Sequence, residues 1–207
     1  MADEKAWLTT ARLEALSDGI FAFAMTLLVL SISLPDDPTH PDYVPDINLY
    51  QLLVGEWRRF LNYAIAFLLL ASFWMTHTEQ FHLIQATEQR HIWINMVFLM
   101  FVSLTPFSTT LIGDYDKESL SWLFFGMNMF VLGSLLLLSW WHASKGLMRS
   151  EITRERIRAG IRRCLVVPTA AAISVCAAYL GYVTIAGLAY FLIPVVLMHP
   201  YFKEGKK

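Results

Sequence analysis

The sequence predicts an all-α integral membrane protein with six transmembrane helices, and three observations support this. Apolar residues make up 56% of the 207 residues and charged residues only 16%, well below the roughly 25% of soluble domains. Charge-free segments recur at about the 20-residue length that a helix needs to cross a hydrocarbon core roughly 30 Å thick. The basic residues, finally, are concentrated on alternate connections between these segments.

The predicted spans follow the charge-free intervals along the chain. The last interval, residues 164–202, has 39 residues. As one helix it would be about 60 Å long, twice the hydrocarbon thickness. It must therefore fold back, and we expect the turn at residues 181–184. The chain is then one transmembrane domain, residues 1–207, with spans at about 12–34, 58–77, 91–113, 119–142, 162–181 and 184–201.

The distribution of Lys and Arg predicts the orientation. With the N-terminus inside, 13 basic residues lie on the cytoplasmic side and three, Arg58, Arg59 and Lys117, lie outside. This asymmetry satisfies the positive-inside rule. We therefore expect a multi-pass protein of the cell membrane with both termini in the cytoplasm. A cleaved signal peptide fits poorly, since acidic residues precede the first apolar segment.

Several classes of function lack their sequence signals. The net charge is −1 and no basic surface interleaved with aromatic residues indicates a nucleic-acid partner. No nucleophile elbow, phosphate loop or metal-ligand spacing is present, so we expect neither an enzyme nor a bound cofactor or metal. The TVGYG filter and the regularly spaced arginines of voltage sensors are missing too.

The first span places polar residues at the start of an apolar helix. At 100° per residue, six residues fall within about 40° of one line along the helix and form an apolar stripe, whereas Asp18 points to the opposite side. The stripe comprises Leu16, Gly19, Phe23, Leu27, Leu30 and Leu34. The stripe could be ordinary helix packing. Alternatively it could line a pore in which oily side chains from several copies gate an aqueous path by dewetting.

Polar groups at the ends of the next two spans could connect the helices. Trp74 and His77 share one face near the end of span two, and Asn95 opens span three. A structural hydrogen bond is one role for His77, and charge pairing with Asp18 or pH sensing is another.

Together these motifs resemble the transmembrane protein 175 potassium-channel family. The pattern Arg-x-x-x-x-Ser-Asp-Gly precedes the first apolar helix, Phe-Trp-x-x-His closes the second, and Asn followed by Phe-Val-Ser-Leu-x-Pro-Phe marks the third. The likeness covers spans one to three. It implies a homotetramer around four copies of span one, in a lipid bilayer, that passes monovalent cations, with potassium ions as the transient permeant species.

The resemblance also implies roles for single residues. The constriction would fall on Phe23, further pore-lining positions on Leu27, Leu30 and Leu34, and cation preference on Thr26. A structural polar network would use Arg12, Ser17, Asp18, Trp74, His77 and Asn95. Leu16 and Thr78 depart from the family pattern, and Phe23 is bulkier than the usual Ile or Leu.

We therefore expect a potassium-permeable cation channel that conducts passively. Two alternatives remain open from the sequence. One is a proton-coupled secondary transporter that uses Asp18 and His77 as a relay, and the other is a structural membrane scaffold. Thr26 also has an alternative role, since its hydroxyl could bond back to the carbonyl of Ala22 and never meet an ion.

Overall fold

The chain folds into a bundle of α-helices, and the computed structural model describes residues 9–32 and 48–198. Helix α1 is Thr10–Leu27 and continues as a 3₁₀ turn, Leu28–Ser31. A short helix follows, α2 Leu49–Gly55. The remaining helices of the described chain are α3 Trp57–Leu83, α4 Gln89–Asp114, α5 Ser119–Ala143, α6 Arg154–Tyr179 and α7 Val183–Met198.

The described part of the chain has five helices long and apolar enough to cross a membrane: α1 with its 3₁₀ turn, α3, α4, α5 and α6. Each of α3 to α6 has 25 to 27 residues, which is about 40 Å at 1.5 Å per residue. The prediction of an all-helical, multi-pass membrane protein is confirmed at this level. Helix α7 has 16 residues, so a sixth span stays a prediction.

The helices alternate in direction, which brings distant charges together at each end. At one end, Arg58 pairs with Asp116 and Arg59 with Asp114. At the other end, Arg163 pairs with Glu79. These two ends are the predicted outer and cytoplasmic sides of the bundle. The ion pairs connect α3 to the end of α4, to the α4–α5 connection and to α6.

The packing order separates the first helix from the last two. Helix α1 packs on α3 and α4, α4 packs on α5, and α5 packs on α6, which in turn packs on α7. The main apolar core lies between these helices and includes Phe21 of α1, Phe73 of α3, Phe98 of α4 and Leu132 of α5. Helices α1 and α6 therefore lie on different sides of the bundle.

Two helix boundaries differ from the predicted spans. Helix α3 continues to Leu83 instead of ending near residue 77, because Gln80 and Phe81 extend its buried face. Helix α6 begins at Arg154 instead of residue 162, where the hydroxyl of Thr153 accepts from the Arg156 N–H at 3.3 Å and caps the first turn. The parts of the predicted spans at residues 33–34 and 199–201 lie outside the described residues.

Between α6 and α7 the chain turns at residues 180–182, slightly earlier than the predicted 181–184. Gly181 has a φ of +83°, a left-handed conformation that glycine adopts without steric penalty. The Tyr182 N–H donates to the Ala177 carbonyl at 2.8 Å, which is the bond that closes a Schellman motif at a helix end. Helix α7 starts one residue later at Val183.

Candidate functional site

Helix α1 has two distinct faces in the bundle. The inner face contains Leu13, Ser17, Phe21 and Ala24, all buried, at spacings of four, four and three residues. This spacing follows the 3.6-residue turn and packs one side of α1 against α3 and α4. The opposite side meets no other part of the described chain over much of its length.

The predicted apolar stripe lies largely on this outer face. Phe23 is 64% exposed, Leu30 69% and Leu16 43%, and a Cβ added at Gly19 would meet nothing within 4 Å. Leu27 is half-buried, and Leu34 lies outside the described residues. A helix that exposes bulky apolar side chains on one face needs a partner there, either lipid or other helices.

Thr26 lies at the edge of the same outer face and is exposed. Its hydroxyl donates to the Phe23 carbonyl at 2.8 Å. The sequence left Ala22 open as the acceptor of this bond, and the structure has Phe23 instead. The bond to residue i−3 matches the tightening of α1 toward its 3₁₀ turn. The oxygen keeps its lone pairs, since the bond uses only the proton.

The inner side of α1 is joined to its neighbours by polar groups. The Trp74 indole N–H donates to the Asp18 carboxylate at 2.8 Å. One residue earlier, the Asn95 amide donates to the Ser17 hydroxyl at 3.3 Å, and that hydroxyl donates to the Leu13 carbonyl at 2.8 Å. The structure thus brings α1, α3 and α4 together through side chains from all three helices.

His77 completes the network from α3. Its Nε2 lies 2.8 Å from the Asn95 side-chain oxygen, which can only accept, so Nε2–H is the donor. The His77 ring also stacks on Phe81, with centroids 4.4 Å apart, and on Phe98 at 5.5 Å. Its Nδ1 is buried and has no partner among the described residues, so a second proton there would lack an acceptor.

Two expectations about this network differ from the structure. Asp18 and His77 have different partners, Trp74 and Asn95, so they do not form the direct charge pair considered above. Arg12 lies outside the network, and its guanidinium has no partner within the described ranges. The reason is geometric, because Arg12 is one turn before Leu16 on the exposed face of α1.

One buried amide was missed by the sequence analysis. Asn128 of α5 is 3% exposed and donates to the hydroxyls of Thr105 and Ser108 of α4 at 3.2 and 3.3 Å. These bonds link α4 and α5 within the apolar part of both helices. The available signal was a lone Asn in a charge-free span, since amides in such segments usually bond to a neighbouring helix.

The described residues contain no group of three or more His, Cys, Asp or Glu side chains arranged to hold a metal ion. The expectation that no cofactor is bound stays a prediction.

The fold and the site define a multi-pass helical membrane protein whose first helix exposes one face. Residues 12–106 match the family model described as the endosomal/lysosomal potassium channel TMEM175. The chain is 26% identical, over 91% of its length and 86% of the relative's, to a protein named as a potassium channel in Streptomyces collinus. It is 35% identical, over 51% of its length and 50% of the relative's, to one of the same name in Chamaesiphon minutus.

The solved structures agree on the fold. The crystal structure of a lysosomal potassium-selective channel TMEM175 homolog from Chamaesiphon minutus matches with a TM-score of 0.77, at 24% identity, over 90% of this chain and 95% of that one. Residues 12–106 are thus similar to the TMEM175 family, and the chain as a whole shares the fold of that structure. The expected resemblance is confirmed, and its relatives are named as ion channels and not as enzymes.

Proposed function

We propose that this chain forms a potassium-permeable cation channel that conducts passively through a homotetramer. Four copies of α1 surround the path, and the outer face of α1 lines it. Helix α7 supplies the sixth span, and both termini lie in the cytoplasm. The proposal concerns the activity and assembly of the protein, and potassium ions are its permeant species.

The observation that carries the proposal is the division of α1 into two faces. Buried side chains and the Ser17–Asn95–His77 bonds fasten one side to the bundle. The other side leaves Phe23 and Leu30 more than 60% exposed. A peripheral helix would show lipid such a face equally well, and the similarity of residues 12–106 to the TMEM175 channel family favours other copies of α1 as the partner.

Rings of apolar side chains act on ions through water. A narrow apolar passage empties of water, and an ion cannot enter it without losing hydration, so such rings close a path without any moving lid. In this proposal, four Phe23 side chains form the narrowest ring, and Leu27 and Leu30 form further rings. The Thr26 hydroxyl, whose lone pairs stay available, provides the oxygen ligand nearest to Phe23.

The relay alternative gains no support from the site. Asp18 and His77 have separate hydrogen-bond partners, and His77 Nδ1 has none among the described residues. Within residues 9–32 and 48–198, no hydrogen bond joins the Asp18–Trp74 pair to the bonds between Ser17, Asn95 and His77. We therefore do not propose coupled transport.

Ion flux tests the proposed activity directly. The purified protein is reconstituted into liposomes and planar bilayers, and the reversal potential is measured under opposed K⁺ and Na⁺ gradients. Passive, non-saturating currents with a reversal potential near that of K⁺ are expected. Slow flux that saturates and depends on a proton gradient would contradict the channel.

Cross-linking tests the assembly independently of conduction. Leu30→Cys is compared with Val29→Cys, its exposed neighbour, in a background in which the free Cys164 and Cys176 are replaced by alanine. Neighbouring residues in a 3₁₀ turn point about 120° apart. Mild oxidation in the membrane should link Leu30→Cys subunits and leave Val29→Cys largely monomeric. Equal linking of both variants would contradict the proposed lining.

A further inference from the structure

Helix α6 presents a single outward stripe that changes from basic to apolar along its length. Arg154, Arg158 and Arg162 follow each other at four-residue intervals and are all exposed. At 100° per residue these three lie within about 80° of one another. They are spread over about 12 Å of helix at 1.5 Å per residue.

The same stripe continues as an apolar surface. Leu165 is 40% exposed and Ile173 is 59% exposed. Leu165 lies within the angular sector of the three arginines, and Ile173 lies about 20° beyond the edge of that sector at Arg162. Thr169 lies between them, and its hydroxyl donates to the carbonyls of Leu165 and Val166, each at 2.8 Å. Because that hydroxyl proton is satisfied within the helix, the surface is suited to hydrocarbon.

The depth of the arginines fits the membrane surface. Helix α6 has 26 residues, about 39 Å, whereas a hydrocarbon core is roughly 30 Å thick. If its last 20 residues cross this core, Arg154 and Arg158 lie at headgroup depth. Arg162 then lies just inside the boundary, from which a long side chain can reach the surface.

The arginine stripe is held on a rigid support. A Cβ added at Gly160 would lie 2.5 Å from the Trp140 ring, so α5 and α6 approach closely there. The Trp140 indole N–H also donates to the Ile157 carbonyl at 3.0 Å. On another face of α6, Arg163 pairs with Glu79 of α3, and this ion pair adds a further contact between α6 and the bundle.

The charge at this end of α6 is strongly positive. Residues 149–163 contain six arginines against two acids, Glu151 and Glu155. Basic clusters at the end of a transmembrane helix attract anionic lipids, and a guanidinium binds phosphate with paired hydrogen bonds. The stripe also lies away from α1, since α6 packs on α5 and α7, so lipid can reach it even if copies of α1 meet.

From this geometry we propose that the α6 stripe binds an anionic phospholipid of the leaflet at the predicted cytoplasmic end. The headgroup phosphate contacts Arg154, Arg158 and Arg162. One acyl chain lies along Leu165, Thr169 and Ile173. This inference does not depend on ion conduction.

Native mass spectrometry of the full chain in detergent micelles tests this. The protein is titrated with dioleoyl-phosphatidylglycerol, and with dioleoyl-phosphatidylcholine as the zwitterionic lipid of the same chains. The test variant is Arg154→Gln/Arg158→Gln. The control, Arg90→Gln/Arg149→Gln, removes the same charge at the same end of the bundle but outside the stripe.

We expect the parent and the control to prefer phosphatidylglycerol, and the test variant to bind it on the order of tenfold more weakly. If both variants lost the same affinity for phosphatidylglycerol, only the overall charge would matter and the site would be overturned. Unchanged affinity in both variants would also overturn it. Should the double variant fail to fold, Arg158→Gln alone is compared with Arg90→Gln, by the same criteria.

A soluble competitor distinguishes a lipid from a free phosphate. Glycerol 1-phosphate has the charged group of the headgroup but no acyl chain. We expect it to displace the lipid only at concentrations at least a hundredfold above those of phosphatidylglycerol. Displacement at equal concentration would show that the apolar stripe contributes nothing and would overturn the lipid assignment.

Discussion

The indole N–H of Trp74 donates to the carboxylate of Asp18 at 2.8 Å, so this acid in the middle of α1 has a neutral partner on α3. A neutral donor orients a carboxylate without cancelling its charge. The contact therefore fixes the rotation of α1 against α3. It acts together with the Ser17–Asn95 bond, which joins the same part of α1 to α4.

The first prediction concerns the stability that this network provides. His77→Ala leaves the Asn95 side-chain oxygen without its donor and should lower the free energy of unfolding by roughly 1–3 kcal/mol. Asp18→Asn keeps an oxygen that accepts from Trp74 but removes the charge that strengthens this bond, so it should lower the free energy of unfolding by less. Both variants should weaken assembly. His77→Ala should have the larger effect, because it also removes ring contacts with Phe81 and Phe98. Thermal unfolding and size-exclusion chromatography in micelles measure both effects.

The exposed His82 provides the control for this prediction. His82→Ala, five residues further along α3, should change neither the unfolding midpoint nor the oligomeric state. Variants at Asp18 or His77 that stay folded and tetrameric but change ion preference would argue against a structural role and in favour of a part in conduction.

The second prediction concerns the apolar stripe. Leu27→Asn or Leu30→Asn should raise the basal conductance, because a polar ring keeps water in the passage and lowers the barrier to ions. Val29→Asn is the matched control, since Val29 is 51% exposed but points away from the stripe. Single-channel recording and liposome flux compare the three. The stripe packs against lipid instead if the leucine variants conduct like the parent at equal expression.

The third prediction separates two sources of selectivity at Thr26. Apolar rings offer no oxygen to replace lost hydration, whereas a hydroxyl can do so in part. The Thr26 proton is engaged by the Phe23 carbonyl, and the oxygen lone pairs stay available as acceptors. Thr26→Val keeps the shape and should lower the K⁺/Na⁺ permeability ratio, and Thr26→Ser should preserve it. Identical ratios in all three proteins would make Thr26 a packing residue.

The fourth prediction compares two neighbouring arginines at the predicted outer end. The Arg59 side chain is 4% exposed and pairs with Glu56 and Asp114, whereas the Arg58 side chain is 61% exposed. Arg59→Met should lower the free energy of unfolding by about 2–3 kcal/mol, less than for a fully buried pair because Asp114 stays partly solvated. Arg58→Met should lower it by at most about 1 kcal/mol.

Denaturant titration in micelles measures the two arginine variants side by side. The comparison is informative because both remove one positive charge at the same end of α3. Similar losses in the two variants would mean that net charge, and not the buried contact of Arg59, stabilises this end of the bundle.

Much of the fold was predictable because membrane spans depend on local composition. Charge-free intervals located the long helices of the described chain. Gly181 marked the turn before α7, because this turn needs a left-handed backbone conformation that glycine adopts without strain. Periodicity also indicated which residues form the apolar stripe of α1, because the 100° step fixes which residues share a side. It did not indicate that this side is exposed, since helix packing was an open alternative. These features depend on neighbours in sequence.

The remaining features depend on which helices meet. Arg12 shares a motif with Ser17 and Asp18 but lies on the other side of α1, where no described residue reaches its guanidinium. The Trp74–Asp18 and His77–Asn95 pairing could not be chosen from the sequence, since four polar groups allow several combinations. Asn128 was missed because its partners lie 20 or more residues away on α4.

The spacing of the buried residues on α1 limits how this helix can vary. Leu13, Ser17, Phe21, Ala24 and Leu28 hold one side of the helix against the bundle, and inserting a single residue among them would rotate everything beyond it by about 100°. Substitutions at Phe23, Thr26 or Leu30 disturb none of these contacts. Related chains can therefore differ freely in the chemistry of the outer face, provided that the length of α1 between Leu13 and Leu28 stays the same.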